Sequence, residues 1–93
     1  MRLVEDLTLR DARGRVCRYL LGLLPAQGEV VDSTVVRLPV SQALLARLLG
    51  LTGETLSRVL HALAKQGLIE SLGRGHMRVC DLAALREAVD GTL

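Results

Sequence analysis

Residues 41–66, SQALLARLLGLTGETLSRVLHALAKQ, decide the fold of this chain. Ser41 offers an N-cap for a first helix to about Leu49, with Leu45, Leu48 and Leu49 expected on one face. Gly50 then permits a left-handed backbone that a Cβ resists, a common way to end a helix. Thr52 offers a second cap, for a helix reaching about Gln66. In that helix Leu56, Val59, Leu60 and Leu63 fall at helical spacing on one side. Glu54, Arg58, His61 and Lys65 fall on the other, with Ser57 beside them. Two short helices joined by a tight glycine turn make a helix-turn-helix. Its helices cross steeply and need a small residue where they meet; Ala46 is placed for that.

Downstream, Leu68–Leu72 and His76–Cys80 read as two strands around Gly73-Arg74-Gly75, a hairpin that would form a wing over about 68–80. Asp81 then caps a last helix with Leu82, Leu85 and Val89 inward. Upstream, residues 11–24 read as a helix with Asp11 as its N-cap. Ala12, Val16, Tyr19, Leu20 and Leu23 face inward there, Arg13, Arg15 and Arg18 lie on other faces, and Pro25 ends it. Residues 1–10 also look helical, as the tail of a longer element. Val30-Val31 and Val35-Val36 around Asp32-Ser33 predict a second hairpin, closed by Pro39. The expected fold class is α+β and mostly helical: a winged helix-turn-helix with small β-hairpins.

Charge is local rather than global. Net charge is only +2, but residues 37–78 carry Arg37, Arg47, Arg58, Lys65, Arg74 and Arg78 against Glu54 and Glu70 alone. A positive middle flanked by balanced or acidic ends suits a phosphate-facing surface, and also a solvated one. With Tyr19 as the one aromatic residue, base stacking on single strands or RNA has no platform. Cys17 and Cys80 lack metal-ligand spacing and read as buried free thiols of a reducing compartment. No apolar run approaches the roughly 18 residues of a membrane span, and Met-Arg-Leu-Val-Glu-Asp is no signal peptide. These features predict a cytoplasmic protein. The cysteines, His61, His76 and the acids form no nucleophile–base or metal constellation, and no glycine-rich loop follows a strand, so no enzyme is expected.

In a helix-turn-helix the start of the second helix enters the major groove of double-stranded DNA. The groove-facing residues are then Glu54, Ser57, Arg58 and His61. Arg58 can donate a fork to guanine O6 and N7, and Glu54 can accept from cytosine N4. Glu54 can equally stabilise the helix N-terminus and pair with Arg58 four residues on; the two roles are compatible. Ser41, Gln42, Thr52, Thr55 and the wing-tip Arg74 are candidate phosphate contacts, which position without specifying sequence. His61 reads as a groove contact or an exposed helix residue, and His76 as an ordinary strand residue. Arg47 and Lys65 fit phosphate contacts and solvated charges equally.

The run Leu51-Thr52-Gly53-Glu54-Thr55-Leu56-Ser57-Arg58-Val59-Leu60, followed by Gln66-Gly67-Leu68-Ile69-Glu70, resembles the DNA-binding domain of the Crp/Fnr family of bacterial transcription regulators. The similarity covers nearly the whole chain. Asp11-Ala12-Arg13-Gly14-Arg15-Val16 is similar to the family's entry into this domain, with Asp11 matching its hinge aspartate. Residues 1–10 then resemble the end of the dimerisation helix, and 11–93 the DNA-binding domain. The resemblance implies that Glu54, Ser57 and Arg58, in the pattern Glu-x-x-Ser-Arg, read bases. Gly53 and Ser57 depart from the cyclic-AMP branch and resemble the branch that favours TTGAT-like half-sites in an inverted repeat. It also implies an intact homodimer with an effector-binding sensor domain and contacts to RNA polymerase, the latter through Pro25–Ser33 in family activators. A chain of 93 residues has no room for that sensor. It is therefore expected to be an excised C-terminal domain, with a natural stand-alone version as the alternative, that carries no cofactor itself and is a monomer or weak dimer. The alternative is a winged-helix module whose Glu54–Lys65 face meets a protein.

Overall fold

Helix α1 runs without a break from Arg2 to Gly22 in the computed structural model, which describes residues 2–25 and 32–90. Asp11 is therefore interior to the helix, not its N-cap. No glycine or proline interrupts residues 2–10, so the hydrogen-bond ladder reaches Asp11 already formed. The carboxylate instead pairs with Arg15 one turn on, at 2.8 Å. Ala12, Val16, Cys17 and Leu20 form the buried stripe of α1, with Tyr19 and Leu23 half-buried beside it. The helix stops three residues before Pro25, whose ring disfavours helical backbone in the residue ahead of it.

After α1 come β1 (Thr34–Arg37), α2 (Gln42–Leu48), α3 (Gly53–Lys65), β2 (Ile69–Gly73), β3 (His76–Val79) and α4 (Leu82–Asp90). The strands form one antiparallel sheet in the order β1-β3-β2. Val36 lies opposite Met77, and Ile69 opposite Val79; these four side chains face the core. The expected hairpin of Val30-Val31 with Val35-Val36 is thus corrected in its pairing. Val35-Val36 belong to β1 and pair with the wing, while Val30 and Val31 lie outside the described residues. A lone two-stranded hairpin is marginal in water, and joining the wing gives three strands and a shared apolar face.

The core lies where α1 crosses α3 and α4, with α2 packed on α3. Leu56, Val59 and Leu63 of α3 are buried and Leu60 is half-buried, which fits the spacing. The first helix differs: Leu45 and Ala46 are buried, but Leu48 is 62% exposed. The buried stripe centres between Leu45 and Ala46, and Leu48 points about 100° away from it. Seven residues are too few for the apolar period to pick one face when three of them are leucines. Asp81 caps α4 by accepting from the Ala84 amide at 3.0 Å, while Asp32 accepts from the Leu82 amide at 2.8 Å. Leu82 and Leu85 are buried, and Val89 half-buried. Cys17 is buried, Cys80 is half-buried, and both are free thiols.

Candidate nucleic-acid interface

The two caps expected from the sequence set the geometry of the site. The Ser41 hydroxyl accepts from the Leu44 amide at 3.1 Å, and the Thr52 hydroxyl accepts from the Thr55 amide at 3.1 Å. Between them the chain turns at Gly50, whose φ is +70°. The Gly50 amide donates to Arg47 O at 3.1 Å and the Leu51 amide to Ala46 O at 2.8 Å. That pair of bonds is the Schellman arrangement, which needs a left-handed residue after the helix and satisfies two of its last carbonyls. Ala46, 2% exposed, lies at the crossing.

A contact the sequence reading missed locks this turn. The Arg15 guanidinium donates to Leu49 O at 2.9 Å while its other nitrogen meets Asp11. The carbonyl at the end of α2 is thereby satisfied by a charge from α1, which also suits the negative pole of that helix end. Nothing in the spacing signals it, because the partners stand 34 residues apart.

The polar face of α3 carries Glu54, Ser57, Arg58, His61 and Lys65, all exposed. Arg58 Nη2 donates to Glu54 Oε1 at 2.7 Å, with the side chains 67% and 73% exposed respectively. An ion pair this open adds little to stability. Its consequence is geometric: it orients the guanidinium on the first turns of the helix. Thr52 also donates to the Thr55 hydroxyl at 2.9 Å, so the Thr52 hydroxyl is engaged both as donor and as acceptor. Thr55 keeps its own proton to give.

Between α3 and the wing lies a cleft of about 400 Å³ lined by Gln42, Ser57, His61, Ser71, Arg74 and His76, among others. The structure thus brings together Gln42, Ser57, His61 and Arg74 and adds His76, a strand residue that no local pattern distinguishes. The turn is built as expected, with both Arg74 (φ 54°) and Gly75 (φ 78°) left-handed, as a two-residue type I′ hairpin loop requires. Glu54 is the only acid on α3, and Glu70 is paired across the wing with Arg78. Arg37, Arg47, Lys65 and Arg74 have no ion-pair partner among the described residues, and on α3 itself Arg58 and Lys65 outnumber Glu54, so its polar face is net positive. No group of three or more His, Cys, Asp or Glu among the described residues could hold a metal. No helix among them is long and apolar enough to cross a membrane.

Comparison with known proteins agrees with this geometry. Residues 14–88 match the Crp-like helix-turn-helix domain. The chain is 40% identical over 89 residues to the Cyclic AMP receptor protein of Thermus thermophilus, covering 95% of this chain and 38% of that protein. It is 32% identical over 73 residues to the cAMP-activated global transcriptional regulator Vfr of Pseudomonas aeruginosa, covering 78% and 34%. The reduced CO-sensing protein from R. rubrum superimposes with a TM-score of 0.75 at 30% identity, over 95% of this chain and 40% of that one. The chain spans between a third and two-fifths of the length of these relatives. The first two of those relatives are transcription regulators and not enzymes. A capped helix-turn-helix, a wing beside it and these matches lead to one conclusion: the chain belongs to the Crp/Fnr family of bacterial transcription regulators, as a domain that binds double-stranded DNA.

Proposed function

We propose that the domain lays α3 in the major groove and reads a TTGAT-like half-site of an inverted repeat with Glu54, Ser57 and Arg58. The observation that carries this reading is the exposed Glu54–Arg58 pair at 2.7 Å on the first turns of α3. Held this way, Arg58 presents a preset fork to guanine O6 and N7, and Glu54 keeps Oε2 to accept from a cytosine N4. A carboxylate facing a polyanion is otherwise unfavourable, which favours base contact over phosphate contact for Glu54. Lys65 lies about 16 Å farther along the helix, too far to share the same bases.

Phosphate contacts fall to Ser41, Gln42, Thr55 and Arg74, with His61 at the groove wall. Thr52 acts through its cap. The intact protein is then a cytoplasmic homodimer whose paired α3 helices meet half-sites about 34–36 Å apart, one helical turn of DNA. A sensor domain that binds a small effector would switch it, as the names of relatives activated by cyclic AMP or sensing CO suggest, with RNA polymerase as its partner at promoters.

The test is a titration of the chain against an inverted TTGAT-type repeat and a random duplex of equal length at one stated salt concentration. The repeat should bind more tightly, and Arg58→Ala should remove that preference while sparing random binding. Equal affinity of the wild-type chain for both duplexes overturns the half-site assignment.

A further inference from the structure

Beside the cleft between α3 and the wing lies a second concavity, of about 420 Å³, whose lining includes Arg37, Pro39, Ser41, Gln42, Arg74 and Gly75. It is continuous with the cleft, because Leu38, Gln42, Arg74 and Gly75 line both. The end of β1 is fixed against the wing tip by the Leu38 amide donating to Gly75 O at 2.8 Å, next to the pairing of Arg37 with His76. Two arginines therefore line this notch from separate elements, one on a strand end and one on a turn whose backbone is set. No acid lines it, and neither arginine has an ion-pair partner among the described residues.

We propose that Arg37 and Arg74 form a clamp for one backbone phosphate of the DNA, beyond the bases that α3 reads. Two guanidiniums that line one notch with no acid beside them concentrate positive charge there, and a phosphodiester can accept from both. Because the notch opens from the same cleft as Ser57 and His61, a duplex seated on α3 runs past it. Arg37 is thus a phosphate-binding residue that the helix-turn-helix pattern does not contain. The clamp rests on DNA seating against α3, but not on any particular half-site sequence.

The experiment measures the salt dependence of binding for the full chain on the TTGAT-type repeat and on a random duplex. Arg37→Gln keeps the aliphatic stem and removes the charge; circular dichroism and the unfolding midpoint check that the sheet is intact. Each neutralised phosphate contributes about 0.9 to the slope of log affinity against log salt. Arg37→Gln should lower the slope by about that amount on both duplexes alike, whether or not the wild type prefers the repeat. A panel of single half-site duplexes, each with one methylphosphonate substitution, should contain one position at which Arg37→Gln no longer weakens binding, and Arg74→Gln should lose its effect at the same position. An unchanged slope, or an Arg37 effect that survives every single neutralisation, overturns the clamp. Loss of preference for the repeat with the slope effect retained overturns only the half-site reading.

Discussion

The Arg15 guanidinium, on α1, hydrogen-bonds the carbonyl oxygen of Leu49 at 2.9 Å and so ties the first helix to the turn of the helix-turn-helix. One of the last carbonyls of α2 is thereby satisfied by a charged donor, and the donor is itself oriented by Asp11. Arg15→Met should lower stability by about 1 kcal/mol, toward the low end for a charged hydrogen bond because the site is partly solvated. For a domain of this size that is a fall of about 4–8 °C in Tm. DNA affinity should fall as well at temperatures where the variant is fully folded, since the angle between α2 and α3 depends on this turn. Asp11→Asn, which removes only an exposed ion pair, should change Tm by less. Thermal melts of the two variants side by side check both statements; equal effects would show that the Leu49 contact contributes nothing.

Thr52 and Thr55 separate stability from binding. Thr52 caps α3, so Thr52→Ala should cost about 1 kcal/mol of folding stability. Thr55→Val leaves the cap acceptor in place but removes a hydroxyl proton that a phosphate can accept. It should weaken DNA binding with little change in the urea midpoint. Chemical denaturation and DNA titration of both variants give the cross-comparison.

At the wing tip the two quantities should move in opposite directions. Arg74 holds a φ of 54°, a conformation that costs a residue with a Cβ about 1–2 kcal/mol. Arg74→Gly removes that cost and the charge together. The variant should be more stable than the wild type by about 1 kcal/mol and should bind DNA with a shallower salt dependence. A variant that is less stable would mean that the arginine side chain contributes more to the fold than its strained backbone takes away.

Much of this was legible from the chain alone, because the informative contacts are local. Ser41, Thr52 and Asp81 cap the helices beginning one residue later, and Gly50 closes its turn through bonds spanning a few residues. The exposed face of α3 followed from thirteen residues with a clean two-sided pattern. What escaped depends on distance or on short elements. Arg15 to Leu49 and Asp32 to Leu82 join residues far apart in sequence. The pairing of Val35-Val36 with the wing needed a third strand that no local pattern announces. Leu48 was misplaced because a two-turn helix rich in leucine does not define one apolar face. Arg37 and His76 sit at strand positions of no local distinction; only the fold brings His76 to the cleft and Arg37 to the notch beside it.

Burial pushes the Cys17 thiol above its ordinary value of 9.0, with Arg13 pulling weakly the other way. The unfolded chain therefore loses this proton first as pH rises. Stability held below about pH 9 should decline above it. Urea unfolding at pH 7 and pH 10 should show a smaller loss in Cys17→Ala than in the wild type. A maleimide should label the half-buried Cys80 faster than Cys17, whose modification should follow unfolding.

The account centres on Arg58 as a base-reading residue on α3. The most direct measurement is the affinity of wild-type and Arg58→Ala chains for duplexes that carry every single-base substitution in the half-site. The account predicts that the wild type discriminates by about 1–3 kcal/mol at one guanine and that Arg58→Ala loses this discrimination there while keeping it elsewhere. Discrimination that is unchanged at every position, or lost evenly at all of them, would contradict it.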